Sequence, residues 1–223
     1  METAKMKVLV VGATGGSGRA TIEALLARGH DVTAFARRTD RLQALSSRIK
    51  IINGDAMHPD DLDRAVKGQD AVIVALGISE NPFRVRLRGS AGTPMDIRSA
   101  GTRNVIAAMH RHGVRKLVVQ TSFGVGETRQ KLPFLYRLFF KLVLKPQIAD
   151  TERQEQVVRA SGLDWVIAQP VNLTDRPDLE EAFVSPDGEV RGMQISRKRV
   201  GRFLAEALQN ARYVGRSVAL SAA

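Results

Sequence analysis

The order of apolar and polar positions predicts a chain that alternates strands and helices. Val8-Leu9-Val10-Val11 is apolar and β-branched without a polar break, the pattern of a strand buried on both faces. It stops at Gly12. From Arg19 to Arg28 apolar residues recur at helical spacing (Ile22, Leu25, Leu26) until Gly29 closes the helix. Asp31–Ala36 reads as a second strand, Leu42 and Leu45 mark a short helix, and Ile49–Ile52 reads as a third strand ending at Asn53-Gly54-Asp55. Pro59 opens a helix with Leu62 and Val66 on one face, closed by Gly68, and Ala71–Ala75 is the fourth strand. Alternation at this spacing predicts an α/β fold, a doubly wound parallel sheet in three α/β/α layers. Right-handed crossovers then gather the strand C-terminal ends along one edge, where ligands bind.

The second half continues the pattern. Residues 77–94 are rich in Gly and Pro and read as an irregular loop at that edge. A long helix is expected from about Pro94 to His112, a fifth strand at Arg115–Thr121, and an apolar, basic helix at Leu132–Lys145, ended by Pro146. Ala149–Ser161 reads as a helix capped by Gly162, and Leu163–Ala168 as a sixth strand leading to Pro170. Pro186-Asp187-Gly188 predicts a hairpin, followed by a helix at Arg197–Asn210 and a last strand at Ser217–Leu220. No repeat or low-complexity linker interrupts the 223 residues. One domain, 1–223, with a small C-terminal elaboration is the expectation, with substrate-side elements within 78–94, 123–150 and 171–200.

The first strand–turn–helix junction carries the chemistry. Glycines fall at Gly12, Gly15 and Gly18, with Thr14, Gly16 and Ser17 between them. In this context Gly12 permits a tight turn, Gly15 lets backbone approach a pyrophosphate, and Gly18 lets the helix pack closely on the strand. The helix N-terminus then favours a diphosphate through its free N–H groups and its dipole. A Rossmann-type dinucleotide site is the reading, against a tight turn with no ligand. The second strand runs out into Arg37-Arg38, with Arg41 one turn later, while Asp31 lies at its wrong end. Guanidiniums there suit a 2′-phosphate and leave a 2′-hydroxyl without an acceptor, so NADP(H) is expected over NAD(H). Ordinary surface charge is the other reading of these arginines. Asp55 could accept from the adenine amino group, with Ala56 beside it, or cap a turn. Gly77, after Leu76, permits close approach of the cofactor ribose.

These residues together resemble the atypical short-chain dehydrogenase/reductase group. The resemblance rests on Val10-Val11-Gly12-Ala13-Thr14-Gly15-Gly16-Ser17-Gly18, Arg37 with Arg41, Gly54-Asp55, Asp70-Ala71-Val72-Ile73-Val74 and Gln120-Thr121-Ser122. Arg159-Ala160-Ser161-Gly162-Leu163-Asp164-Trp165, followed by Gln169-Pro170, is similar to the same group. Within it the chain looks most like the biliverdin reductase B (flavin reductase) and NmrA-like branches. The resemblance implies that Gly12, Thr14, Gly15, Gly16, Ser17 and Gly18 hold the diphosphate, Arg37 and Arg41 the 2′-phosphate, and Asp55 and Ala56 the adenine. It also implies that Leu76 and Gly77 line the ribose, and that Pro170, Val171 and Asn172 lie near the nicotinamide. Ser122, at the end of the fifth strand, is placed by the family beside the nicotinamide. It either orients substrate or cofactor amide, or caps the strand end.

One absence shapes the functional reading. The usual short-chain reductase acid is a Tyr-x-x-x-Lys pair on one helix face. Tyr136 has Phe140 four residues on, with Lys141 at five, and Tyr213 has Ser217. Without that pair, the expected activity is NADPH-dependent hydride transfer to a conjugated acceptor such as a flavin, quinone or tetrapyrrole, where ring positioning supplies most of the rate. A non-catalytic, NmrA-like NADP(H)-binding redox sensor or interaction protein is the alternative. An epimerase or dehydratase is disfavoured by the same absence. His110 and His112 face different ways on their helix, His30 and His58 sit in turns, and all four read as surface residues with no metal-ligand spacing.

Composition narrows the partners. Cysteine is absent, which excludes disulfides and Cys-ligated metal, and 43% hydrophobic residues suffice for a core. Met1 to Lys7 is too short and charged for a signal peptide, and no apolar run reaches ~18 residues, so a cytoplasmic protein is expected. The formal net charge of +11 attracts anions in general. One Trp and two Tyr leave few stacking platforms, and no DNA-binding motif is present, so no nucleic-acid partner is expected. Arg84, Arg86 and Arg88 alternate on one side of an extended stretch. Arg137, Lys141 and Lys145 form a stripe among apolar residues, and three readings stand for 132–145: a helix on the core with snorkelling basic residues, the lid of a substrate cleft, or a contact with anionic membrane. A monomer or dimer fits the chain.

Overall fold

The computed structural model describes residues 4–78, 92–132, 145–176 and 181–223. Its elements in chain order are β1 (Lys7–Val11), α1 (Gly16–Ala27), β2 (Asp31–Ala36), β3 (Lys50–Asn53), α2 (Pro59–Val66), β4 (Ala71–Val74), α3 (Ile97–His112) and β5 (Lys116–Gln120). Then follow α4 (Lys145–Arg159), β6 (Asp164–Pro170), β7 (Asn172–Thr174), β8 (Ala182–Ser185), β9 (Gln194–Ser196), α5 (Arg197–Ala207) and β10 (Arg216–Ala222). Among the described residues eight strands form one sheet in the order β3-β2-β1-β4-β5-β6-β10-β8. All pairs are parallel except β10–β8. The doubly wound α/β fold read from the alternation is the fold observed.

The period of two along each strand explains the layers. In β1, Val8 and Val10 face one side and Leu9 and Val11 the other, and all four are buried. The first side is packed by Ile22 and Leu25 of α1 and by Phe203 and Leu204 of α5. The second is packed by Leu62 of α2, Val105 and Met109 of α3, and Val158 of α4. A strand covered by helices on both sides has no polar face, which is why β1 and β4 (Ala71-Val72-Ile73-Val74) read as unbroken apolar runs.

Several local expectations are corrected. The short segment at Leu42 and Leu45 is a 3₁₀ turn, Asp40–Leu45. The long helix begins at Ile97 rather than Pro94, and α4 begins at Lys145, with Pro146 in its first turn. Proline is tolerated there because that N–H has no intrahelical partner. The hairpin expected at Pro186-Asp187-Gly188 is not formed. Gly188 closes a turn on Ser185 (3.3 Å), but β8 pairs with β10, whereas β9 pairs in parallel with β7. His30, read as a surface residue, is 3% exposed, and its Nδ1 accepts the Met6 N–H at 3.2 Å. The loop arginines Arg84, Arg86 and Arg88 and the stripe residues Arg137 and Lys141 lie outside the described residues, as does Tyr136. Among the described residues no helix is long and apolar enough to cross a membrane.

Candidate dinucleotide site

The crossover from β1 to β2 lies on one face of the sheet and that from β3 to β4 on the other, so the order reverses between β1 and β4 and leaves a crevice beyond their C-terminal ends. A cleft of about 260 Å³ opens there. The turn after β1 supplies Gly12, Thr14, Gly15 and Gly16. The exit of β2 supplies Arg37, Arg38 and Arg41, the exit of β3 Asp55 and Ala56, and the exit of β4 Leu76 and Gly77. Eleven of the residues singled out in the sequence thus meet around one space.

The three glycines differ in what surrounds them. Gly12 has φ +88°, and a Cβ there would lie 2.5 Å from the Ala75 carbonyl oxygen. A Cβ on Gly18 would run into the Gly12 carbonyl oxygen, which is the close helix–strand packing the spacing predicted. Gly15 is the open one: a Cβ would meet only the Gly12 oxygen, at 3.4 Å. Gly15 is also the N-cap of α1, where no side chain caps the helix and no acidic residue occupies the first turn. An uncapped, exposed helix N-terminus presents N–H donors and positive potential to an anion. Ser17 and Gly18 stand behind this surface, not on the cleft: Ser17 is 7% exposed, and its carbonyl accepts the Thr21 hydroxyl.

The arginines divide. The Arg37 guanidinium donates to the Gly92 carbonyl at 2.6 Å and to the Thr93 hydroxyl at 2.9 Å, tying the exit of β2 to the segment that leads into α3. Arg38 and Arg41 line the cleft with no ion-pair partner among the described residues. Asp55 shows the turn role: its Oδ1 accepts the Met57 N–H at 3.0 Å, while its own N–H donates to Asp61. That backbone hydrogen bond, with Arg64 beside it, holds the Asp61 carboxyl below the usual carboxylate range. The Ala56 carbonyl accepts from the Asn104 side chain at 3.0 Å, which anchors the cleft floor to α3.

Gly77, which lines the cleft, also has a close neighbour within the protein. A Cβ there would lie 2.9 Å from Nη2 of Arg98, whose Nη1 donates to the Leu76 carbonyl at 2.8 Å. Glycine lets this guanidinium lie against the strand exit. Burial lowers the Arg98 pKa from its ordinary value, opposed by Asp150. Asp150, itself 1% exposed, accepts from the Arg98 and Ser99 N–H groups and from the Ser99 hydroxyl, capping α3 from α4.

Ser122, Pro170, Val171 and Asn172 are not among the cleft-lining residues. They lie together further along the sheet edge, where the Phe123 N–H donates to the Pro170 carbonyl at 2.9 Å. Ser122 Oγ donates to the Phe123 carbonyl at 3.2 Å, Val171 is 5% exposed, and Asn172 opens β7. Beneath these tips Glu155 accepts from the Thr121 hydroxyl and the Gln169 amide, each at 2.8 Å, and from Arg159 at 3.0 Å.

Sequence reasoning missed Arg98, Asp150 and Arg197. The Arg197 stem fills the space a Cβ on Gly16 would take, 2.5 Å from that position. Arg98 and Arg197 share one legible signal: each is a cation in the first turn of a helix, where the dipole disfavours it.

A family model described as NAD(P)H-binding matches residues 12–211. The chain belongs to this NAD(P)H-binding family. It is 29% identical over 211 residues to an uncharacterized chloroplastic protein of Arabidopsis thaliana, covering 91% of this chain and 71% of the relative. It is 27% identical over 226 residues to the (4-alkanoyl-5-oxo-2,5-dihydrofuran-3-yl)methyl phosphate reductase of Streptomyces griseus, covering 96% of this chain and 67% of that enzyme. Among solved structures, a Rossmann-fold NAD(P)-binding family protein from Shigella flexneri superposes with a TM-score of 0.71 at 26% identity, covering 98% and 94% of the two chains. The NAD(P)-binding kinship read from the motifs therefore stands.

Proposed function

We propose that this NAD(P)H-binding protein is an NADPH-dependent reductase acting on a conjugated acceptor such as a flavin, a quinone or a linear tetrapyrrole. The observation that carries the choice of NADPH is the pair Arg38 and Arg41 at the exit of β2, beside Arg37, whose guanidinium is engaged by Gly92 and Thr93 and so does not take the 2′-phosphate role expected of it. The acidic residue lining the cleft, Asp55, belongs to the exit of β3, so no lining carboxylate stands at the β2 exit to accept from a ribose hydroxyl. The site fits a dinucleotide: Gly15 leaves an open face, the α1 N-terminus is uncapped, and guanidiniums line the far wall.

In this reading Thr14, Gly15 and Gly16 hold the diphosphate on backbone N–H groups, Arg38 and Arg41 hold the 2′-phosphate, and Ala56 and Leu76 pack beside adenine and ribose. The nicotinamide, when bound, supplies hydride. Ser122 orients the amide or the acceptor at the tips of β5 and β6. Two observations support a conjugated acceptor. The Tyr-x-x-x-Lys pair is missing from the sequence. The Streptomyces relative is named for an alkanoyl-substituted 5-oxo-2,5-dihydrofuran, a conjugated ring. Hydride accepted into such a system leaves a delocalised anion that water can protonate, so no strong protein acid is needed.

The test is NADPH oxidation across FMN, riboflavin and a quinone series, beside a binding titration. Steady turnover with at least one acceptor is expected. Tight NADP(H) binding with no turnover across the panel discards the catalytic reading and leaves a redox-sensing binder.

A further inference from the structure

We infer that Arg197 is a ligand for the diphosphate of the bound dinucleotide, and that Asp175 holds its place until the dinucleotide arrives. The inference rests on the dinucleotide reading of the cleft. Arg197 is the first residue of α5, after the N-cap Ser196, yet it packs on the first residue of α1, Gly16. Its Nε lies 2.8 Å and its Cζ 3.7 Å from where a Gly16 Cβ would be. Gly16 itself lines the cleft.

Two helix N-termini therefore converge on one guanidinium. Neither helix has an acidic residue in its first turn, so neither supplies a counter-charge of its own where the positive ends of both dipoles meet Arg197. A cation in that field is stabilised by an anion, and Asp175 supplies one: its Oδ2 lies 2.9 Å from Arg197 Nη1. The Asp175 side chain is 82% exposed and that of Arg197 29%. An ion pair with so exposed a carboxylate holds weakly and is screened by salt. A diphosphate on the Gly15–Gly16 amides would bring a denser charge to the same guanidinium, in a charge-assisted contact stronger than the surface pair. Asp175 is then released to solvent together with the exit of β7, the strand that carries Asn172.

The experiment is calorimetric titration of full-length wild-type, Arg197→Ala and Asp175→Asn proteins with two probes: NADP⁺, and adenosine 2′-monophosphate, which keeps the 2′-phosphate and lacks the diphosphate. Arg197→Ala is expected to weaken NADP⁺ about tenfold or more while leaving adenosine 2′-monophosphate within about twofold. Asp175→Asn removes the competitor and is expected to tighten NADP⁺ about two- to threefold at low salt, the worth of a surface pair. Its side chain is exposed, so the variant folds even if Arg197→Ala does not. The inference is overturned if Arg197→Ala affects both probes alike or neither, or if Asp175→Asn weakens NADP⁺, since Arg197 would then act only by bracing β7 on α1. Wild-type protein that binds adenosine 2′-monophosphate but no NADP⁺ overturns the inference and the dinucleotide reading together.

Discussion

Substituting Gly15 and Gly18 in turn separates what the glycine-rich turn does for the ligand from what it does for the fold. A Cβ at position 18 enters the Gly12 carbonyl, a backbone atom that cannot swing away. Overpacking costs roughly 1–3 kcal/mol, and a backbone-on-backbone clash belongs at the upper end. For a chain of this size each kcal/mol moves the melting midpoint by about 2–4 °C, so Gly18→Ala lowers it by ~6–12 °C. At position 15 the backbone sits at φ −71°, ψ 158°, which alanine adopts freely, and the Cβ meets only the Gly12 oxygen at 3.4 Å. The fold then loses only the difference between glycine and alanine at an N-cap, on the order of 0.5 kcal/mol. The diphosphate loses backbone approach and at least one charge-assisted hydrogen bond, about 1.5–3 kcal/mol, or tenfold and more in affinity. Thermal melts of the ligand-free proteins and NADPH titrations read the two effects independently. Gly15→Ala that binds NADPH within twofold of wild type would show that the anion does not sit on this turn. Gly18→Ala that melts with wild type would refute the packing argument.

Three further outcomes follow from the same geometry. Arg38→Ala with Arg41→Ala should weaken NADPH by about 2–4 kcal/mol and leave NADH unchanged, because charge-assisted contacts are each worth ~1.5–3 and are not additive; equal losses for both cofactors would put the 2′-phosphate elsewhere. His30 is held below its ordinary value of 6.5 first by burial and then by Arg28. Its neutral form is the native one, so the stability it contributes is complete above about pH 6.5 and is lost as pH falls through the window below, by no more than ~1.4 kcal/mol per pH unit; a urea midpoint that His30→Gln leaves equally pH-dependent would remove His30 as the cause. Glu155→Gln sets an amide against donors that a carboxylate now satisfies, and should cost about 3 kcal/mol with NADPH affinity intact, since Glu155 lies under β5 and β6 rather than the β1–β4 cleft; an unchanged melt would show that the network is slack.

What the sequence made legible is what depends on local order. The strands are readable because burial on both faces removes polar residues from β1 and β4, and the diphosphate turn because three glycines keep one spacing between a strand and a helix. The arginines were found because they follow β2 directly. Arg197 and Asp150 were missed because their significance is non-local: one packs on Gly16 and the other caps α3, each from a distant helix. The hairpin failed for a related reason. Pro186-Asp187-Gly188 does form a turn, but turn chemistry does not say which partner each strand takes, and β8 and β9 end in different sheets. Gly77 makes the same point at one residue: a glycine reports that something lies close, and the Arg98 guanidinium is a neighbour that no local pattern announces.

The buried carboxylates of α4 bear on which reductions are open to the site. A ketone reduced to an alcohol needs a proton delivered to its oxygen as hydride arrives, so some group must be able to give one. Glu155 is 1% exposed directly beneath the tips that carry Ser122 and Pro170, but its oxygens already accept from Thr121, Gln169 and Arg159. Asp150 is likewise committed to the Ser99 hydroxyl and the N–H groups that open α3. Glu155 ties three side chains together and Asp150 holds the opening of α3, so both buried carboxylates are occupied within the protein and neither faces a substrate. Among the described residues the tips of β5 and β6 therefore offer a hydroxyl, Ser122, backed by groups that hold it still. That arrangement can position a ring and polarise it weakly. It suits an acceptor whose own conjugation spreads the incoming charge long enough for water to complete the reduction.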